Sequence, residues 1–156
     1  MIVHQQPPGS FTLSMVIIWA GLFTGTLFFA AICYFMRATG QFTYVTTEEL
    51  NRIMIYVVPF LIIAALFGSN FFYRSRLKAL NKMTTPEEKL TSFRGIFIIR
   101  NAIPEMAAFL ALVAFLLSGD LRFMAGAGVM LVWMIAIFPT RQRIATDLEI
   151  RPEFVS

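Results

Sequence analysis

The fold the sequence predicts is all-α: a polytopic membrane protein with four transmembrane helices in a compact bundle. Three observations predict it. Hydrophobic residues make up 58% of the 156-residue chain, with 17 Phe and 9 Met, well above the roughly 45–50% apolar content of a soluble domain. They gather into four stretches, about 11–36, 53–73, 95–117 and 123–139, each long enough or nearly so for a hydrocarbon core that about 20 helical residues cross. Lys and Arg are unevenly shared between the connections. The N-terminus has none, the 74–94 loop has six (Arg74, Arg76, Lys78, Lys82, Lys89, Arg94) and the tail has Arg141, Arg143 and Arg151, against Arg37, Arg52 and Arg122 on the other side. Positive charge stays inside, so the N and C termini and the 74–94 loop are expected to be cytoplasmic. Residues 1–156 are expected to form one multi-pass domain of the inner (plasma) membrane.

The first span follows "MIVHQQPPGS", which lacks Lys and Arg. Its apolar run is too long for a signal-peptide core, so it is expected to stay on the protein. It contains the lone Cys33, which excludes a disulfide framework and a CxxC metal site. The second span is opened by "TTEEL" at 46–50, a helix start with acidic residues in the first turn. The third is opened by "TTPEEKLTSFRG": Thr85 can cap, Pro86 suits the first helical position and Glu88 completes a capping box, so this helix is expected to begin at Pro86. Trp19, Trp133 and Tyr73 are candidates for interfacial belts, with Trp19 rather deep.

Small residues recur on every span. Gly21 and Gly25 form a GxxxG pair on the first, Ala64 and Gly68 lie on the second, Ala107 and Ala111 on the third, and Ala125-Gly126-Ala127-Gly128 on the fourth. Such ridges let helices approach closely in lipid, and the same ridge serves packing inside one chain or contact with another, as a homo-oligomer or a larger membrane complex. A shift of 81 residues also brings Ile17-Ile18 onto Ile98-Ile99, Phe28 onto Phe109, Ala30 onto Ala111 and Phe42 onto Phe123, the pattern of a duplicated hairpin.

The formal charge of +4 follows from the loop bias. The basic clusters are expected to meet lipid headgroups of the bilayer, and no nucleic-acid partner is called for. With His4 the one histidine, no haem or metal centre is predicted and no cofactor is expected. The sequence carries no glycine-rich phosphate loop and no nucleophile–base pair, which points away from an enzyme.

Chemistry concentrates in "FRGIFIIRNAIPEMAAFLALVAFLL", 93–117. Glu105 falls about 15 Å along the third span, near the bilayer midplane. A charged carboxylate there costs at least about 2.5 kcal/mol, so it is expected to be neutral, paired or facing water. Arg100, five residues earlier, points about 140° away around the helix and is expected to snorkel to the headgroups. Asn101, four residues earlier, shares the face of Glu105. Pro104 cannot donate to the carbonyl of Arg100, which leaves a free acceptor beside the carboxyl group. Thr24, Thr26, Ser69 and Asn70 are the candidate partners for this polar nick. As a neutral acid, Glu105 would donate one hydrogen bond and accept others.

The stretch "PEEKLTSFRGIFIIRNAIPEMAAFLALVAFLL", residues 86–117, resembles the loop and C-terminal helix of the c-subunit, or proteolipid, of rotary ATP synthases. That family has a Pro-Glu in the cytoplasmic loop, a basic residue eleven places before the carboxylate, an Ile-Ile-Gly-x-Ala run, and a glutamate followed by small residues. Pro86-Glu87, Arg94, Ile98-Ile99, Ala102 and Glu105 fall at or within a residue of those places. The resemblance implies that Glu105 is an ion-binding carboxylate that takes up a proton or Na⁺ and releases it against a stator arginine. Arg100 stands where the family has a glycine, and the second span offers Gly68 where the family has several glycines. The trio Arg100, Asn101 and Glu105 also resembles one on the second helix of the membrane-associated glutathione-transferase family, which implies a small membrane enzyme. The reading that asks for no chemistry is a noncatalytic membrane subunit or scaffold packing against partner membrane proteins.

Overall fold

The computed structural model describes residues 10–40, 47–82 and 85–155, so His4 and Phe42 lie outside the described residues. Those residues form five α-helices, α1 (Ser10–Ala38), α2 (Glu48–Leu80), α3 (Pro86–Ser118), α4 (Leu121–Ala136) and α5 (Arg141–Leu148), then a 3-10 turn at Pro152–Val155, with no strand among them. Helix starts follow local chemistry. Thr47 caps α2 by accepting from the Leu50 N–H, and α3 begins at Pro86, although the Thr85 side chain makes no cap bond.

Helices α1, α2 and α3 are each long and apolar enough to cross a membrane. Helix α4 has 16 residues, about 24 Å at 1.5 Å per residue, and stops short of a hydrocarbon core of about 30 Å. It is followed by a break and by α5, bent 76° away from it. The described residues thus hold three helices long and apolar enough to cross a membrane, or four if α4 and α5 count as one broken span. The helical run expected over 123–139 ends early because Pro139 cannot donate to a preceding carbonyl. Two side chains take up the carbonyls left free: Trp19 Nε1 donates to Met134 O at 2.9 Å and Arg143 Nη1 to Ala136 O at 2.8 Å. Trp19 therefore lies deep because it caps a neighbouring helix.

Helix α3 is the hub. Helices α1, α2 and α4 pack mainly on α3 and much less on one another. Small residues make this possible: Ala107, Ala108, Ala111 and Ala114 of α3 are buried against Ala30 and Cys33 of α1, Val58, Ile62 and Ala65 of α2 and Ala127 and Met130 of α4. A Cβ on Gly126 would come within 2.6 Å of Ile62 Cδ1, so Gly126 belongs to this internal packing. Gly21, Gly25, Gly68 and Gly128 would meet nothing within 4 Å, and Ala64 is exposed. Those positions face out of the chain. Gly21→Leu is accordingly expected to leave the fold intact; if the ridge joins copies of the chain, the detergent-extracted particle becomes smaller, and an unchanged mass frees the ridge of that role.

A second core lies at one end of the bundle, where Tyr73 and Leu80 of α2, Phe93 and Phe97 of α3, and Met15 of α1 bury Ile144, Ala145 and Leu148 of α5 and Val155. The Thr12 hydroxyl donates to Val155 O at 2.6 Å. The start of α1 and the last described turn thus share one end, which also holds Arg74, Arg76 and Lys78 at the end of α2 and Lys89 and Arg94 at the start of α3. We call it the basic end.

At the opposite end, Gly119 turns the chain from α3 to α4 with φ +74°, and its N–H donates to Phe115 O at 2.7 Å. Gly119→Ala places an L side chain in this left-handed conformation and is expected to lower unfolding stability by about 1–2 kcal/mol, measurable by denaturant titration in micelles. Asp120 then caps α4 through the Arg122 N–H at 2.9 Å and pairs with the Arg122 guanidinium at 2.6 Å. The hydrogen-bonded guanidinium holds the Asp120 carboxyl below the ordinary carboxylate range. Whatever stability this cap adds is complete above that range and fades as pH falls through the lowered value.

Candidate functional site

A polar seam runs along α3 through the residues singled out in the sequence. Pro104 is fully buried and leaves the Arg100 carbonyl without its helical donor. The buried Ser69 hydroxyl of α2 supplies one, donating to Arg100 O at 2.9 Å. Of the four partners considered for the nick, the structure uses Ser69 and directs it at the freed carbonyl. Thr26 instead donates to Leu22 O of its own helix at 3.0 Å.

Arg100 does not snorkel. It is 8% exposed, and its guanidinium carbon lies 3.6 Å from the centroid of the Tyr73 ring, a stacked cation–π contact. The Tyr73 hydroxyl donates to Asp147 Oδ2 of α5 at 2.5 Å. Among the described residues Arg100 makes no ion pair; Tyr73 links it to Asp147. The guanidinium stays inside on the face of the Tyr73 ring, which α5, folded back over the basic end, holds through Asp147. Helix α5 is fastened at its C-terminal end as well, where free carbonyls and the negative end of the helix dipole favour a cation. Lys89 of α3, itself buried, donates to Leu148 O at 3.1 Å, and Asn81 of α2 donates to Asp147 O at 3.4 Å.

Asn101 points elsewhere. It is 0% exposed; its Nδ2 donates to Phe97 O at 2.9 Å, while its Oδ1 accepts no hydrogen bond. A buried acceptor left empty costs about 1–3 kcal/mol, so this oxygen calls for a proton donor or a cation. One turn on, Glu105 is half-buried and has no hydrogen bond or ion pair among the described residues. Residues four apart share a helix face. Phe109, one further turn along that face, meets Phe29 of α1 with ring centroids 5.1 Å apart, which places the Asn101–Glu105 face on the α1 side of α3.

The four candidate residues thus divide between two places. Arg100 and the carbonyl freed by Pro104 turn toward α2 and α5; Asn101 and Glu105 lie one turn apart on another face of α3, the first buried and the second half-buried. Among the described residues no three His, Cys, Asp or Glu side chains come together to hold a metal ion. Tyr73, expected in an interfacial belt, and Lys89, expected in a loop that meets headgroups, are instead buried and tied to α5, and Asp147 is the part of the seam that the sequence did not assign. A signal for α5 was present in "PTRQRIATDL", where Thr140 follows Pro139 and accepts from the Arg143 N–H at 3.2 Å.

Fold and site together define an all-helical protein whose long helices, apolar enough to cross a membrane, are arranged around one central helix that carries the polar residues. Comparison with protein families, with curated proteins and with solved structures finds no match to the chain.

Proposed function

We propose that the chain is a noncatalytic membrane subunit that packs against partner membrane proteins, with Glu105 as the polar point of contact. The observation that carries this reading is the unpartnered, half-buried Glu105 in the middle of α3. A carboxyl group at that depth is costly unless something outside the chain answers it. The broad apolar faces of α1 and α2 support it, with Phe28, Phe35, Tyr56, Phe60, Phe67 and Phe71 all exposed to lipid or to another protein. In this reading α4 and α5 complete a fourth, broken span of an inner-membrane, multi-pass protein. The basic end faces the cytoplasm under the positive-inside rule, and so do both termini. A reporter active only in the cytoplasm, fused after Ser156, is expected to be active; an inactive fusion on stable protein overturns the orientation.

The orphaned Asn101 Oδ1 favours a second reading, in which Glu105 is a proton- or cation-binding carboxylate of a proteolipid-like transport subunit. A protonated Glu105 donates to Asn101 Oδ1, or a cation sits between the two oxygens. A carboxyl-directed carbodiimide, which reacts with the protonated acid, is expected to label Glu105 and to label it less as pH rises through its pKa. Glu105→Gln keeps the donor and removes the titration, so in this reading the variant assembles and stops working. The glutathione-transferase reading receives no support from the geometry, since Arg100 turns away to Tyr73 and leaves the trio divided.

A further inference from the structure

At the basic end a groove of about 370 Å³ opens between α2 and α3. Its walls are Phe72, Ala79 and Leu80 of α2 and Ile96 and Ile99 of α3, and its polar lining residues are Arg76 and Ser92. Gly95 lies in its wall, and a Cβ added there would meet no atom within 4 Å. The absent side chain keeps the groove open. The lining is polar at Arg76 and Ser92 and apolar elsewhere, and from Ser92 to Ile99 it extends about 10 Å along α3.

Arg76 is exposed, rests 5.4 Å from the Phe72 ring centroid and has no ion-pair partner among the described residues. The 74–94 stretch, expected from the sequence to be a loop, is the end of α2 and the start of α3, and it carries six Lys and Arg against Glu87 and Glu88, with Lys89 buried against α5. A positive, water-side mouth above an apolar slot is the complement of one molecule class that a membrane presents at this height. We propose that the groove holds one anionic phospholipid, its phosphate on Arg76 and Ser92 and one acyl chain along Phe72, Ile96 and Ile99. The proposal requires α2 and α3 to lie in a bilayer and does not depend on Glu105.

The full chain in mild detergent, titrated separately with phosphatidylglycerol and with phosphatidylcholine of the same chain length, tests this by native mass spectrometry. One phosphatidylglycerol per chain is expected to be retained, in preference to phosphatidylcholine, and inorganic phosphate is expected not to displace it. Arg76→Gln removes one headgroup contact and is expected to weaken phosphatidylglycerol retention about fivefold, the equivalent of about 1 kcal/mol per basic residue near a lipid surface. Gly95→Leu fills the slot and is expected to abolish retention of both lipids, whereas Gly68→Leu, at an equally open position of α2 outside the groove, retains them. Thermal unfolding of each variant confirms that the helices persist. Equal retention of the two lipids by the unaltered chain overturns the proposal, as does retention unchanged by both Arg76→Gln and Gly95→Leu.

Discussion

Asp147→Ala is expected to destabilise the basic end by about 1.5–3 kcal/mol, the worth of a hydrogen bond to a charged group. Arg100 is buried under the Tyr73 ring, and Asp147 accepts from the Tyr73 hydroxyl and so holds that ring in place. Without Asp147 the ring loses its hydrogen bond, and α5 loses one of its three ties to α2 and α3. The reverse substitution is expected to cost less. Arg100→Met fills the space under Tyr73 with an apolar chain, and the half-exposed Asp147 can turn to water. Arg100→Lys is expected to be worse than Arg100→Met, because an ammonium cannot lie flat on the ring and keeps the buried charge. Denaturant titration in micelles reads the order. Trypsin cleavage at Arg141, Arg143 and Arg151 reads the release of α5 and is expected to accelerate in Asp147→Ala. Equal stability of Asp147→Ala and the unaltered chain would show that Arg100 does not depend on this carboxylate.

Glu105→Leu is expected to leave the chain folded and to break its assembly. At a position that merely faced lipid, exchanging Glu for Leu would remove a cost of at least about 2.5 kcal/mol and would help the helix stay in the membrane. In a contact with a partner it removes the group the partner engages. Truncating one member of a buried, hydrogen-bonded charge pair at an interface costs about 2–5 kcal/mol, or roughly 30- to several-thousand-fold in affinity. The extracted particle is therefore expected to lose mass and co-purifying chains while its helical content and melting stay unchanged. Glu105→Gln separates the chemistries. Where Glu105 is a neutral hydrogen-bond donor to the partner, Gln preserves assembly; where it pairs with a partner's cation, Gln prevents assembly. A particle unaltered in both variants would leave Glu105 as an internal post that donates to Asn101.

Much of this site was legible because its signals are local. Pro86 and Thr47 mark helix starts through chemistry confined to one turn, and the acceptor freed by Pro104 follows from the missing N–H of proline alone. Even its partner Ser69 was among the few polar residues on the other spans. The fate of Arg100 was not legible, since it depends on Tyr73 and Asp147, both distant in sequence, and on α5, whose eight mostly polar residues are too few to stand out as an element beside the long apolar spans. The small-residue ridges show the same boundary from another side. Gly21/Gly25 and Ala107/Ala111 share a spacing of four, yet one pair faces outward and the other is buried on the hub. A spacing places residues on one face of a helix and leaves open what that face meets.

The surroundings of Glu105 in intact membranes decide the central claim most directly. Met106, the next residue on α3, is 72% exposed, so a photoreactive side chain can replace it without disturbing the carboxyl group or the core. On illumination of native membranes, the account predicts a covalent adduct between position 106 and another polypeptide, and loss of that adduct when Glu105→Leu is added. Adducts with lipid alone, unchanged by Glu105→Leu, would contradict it.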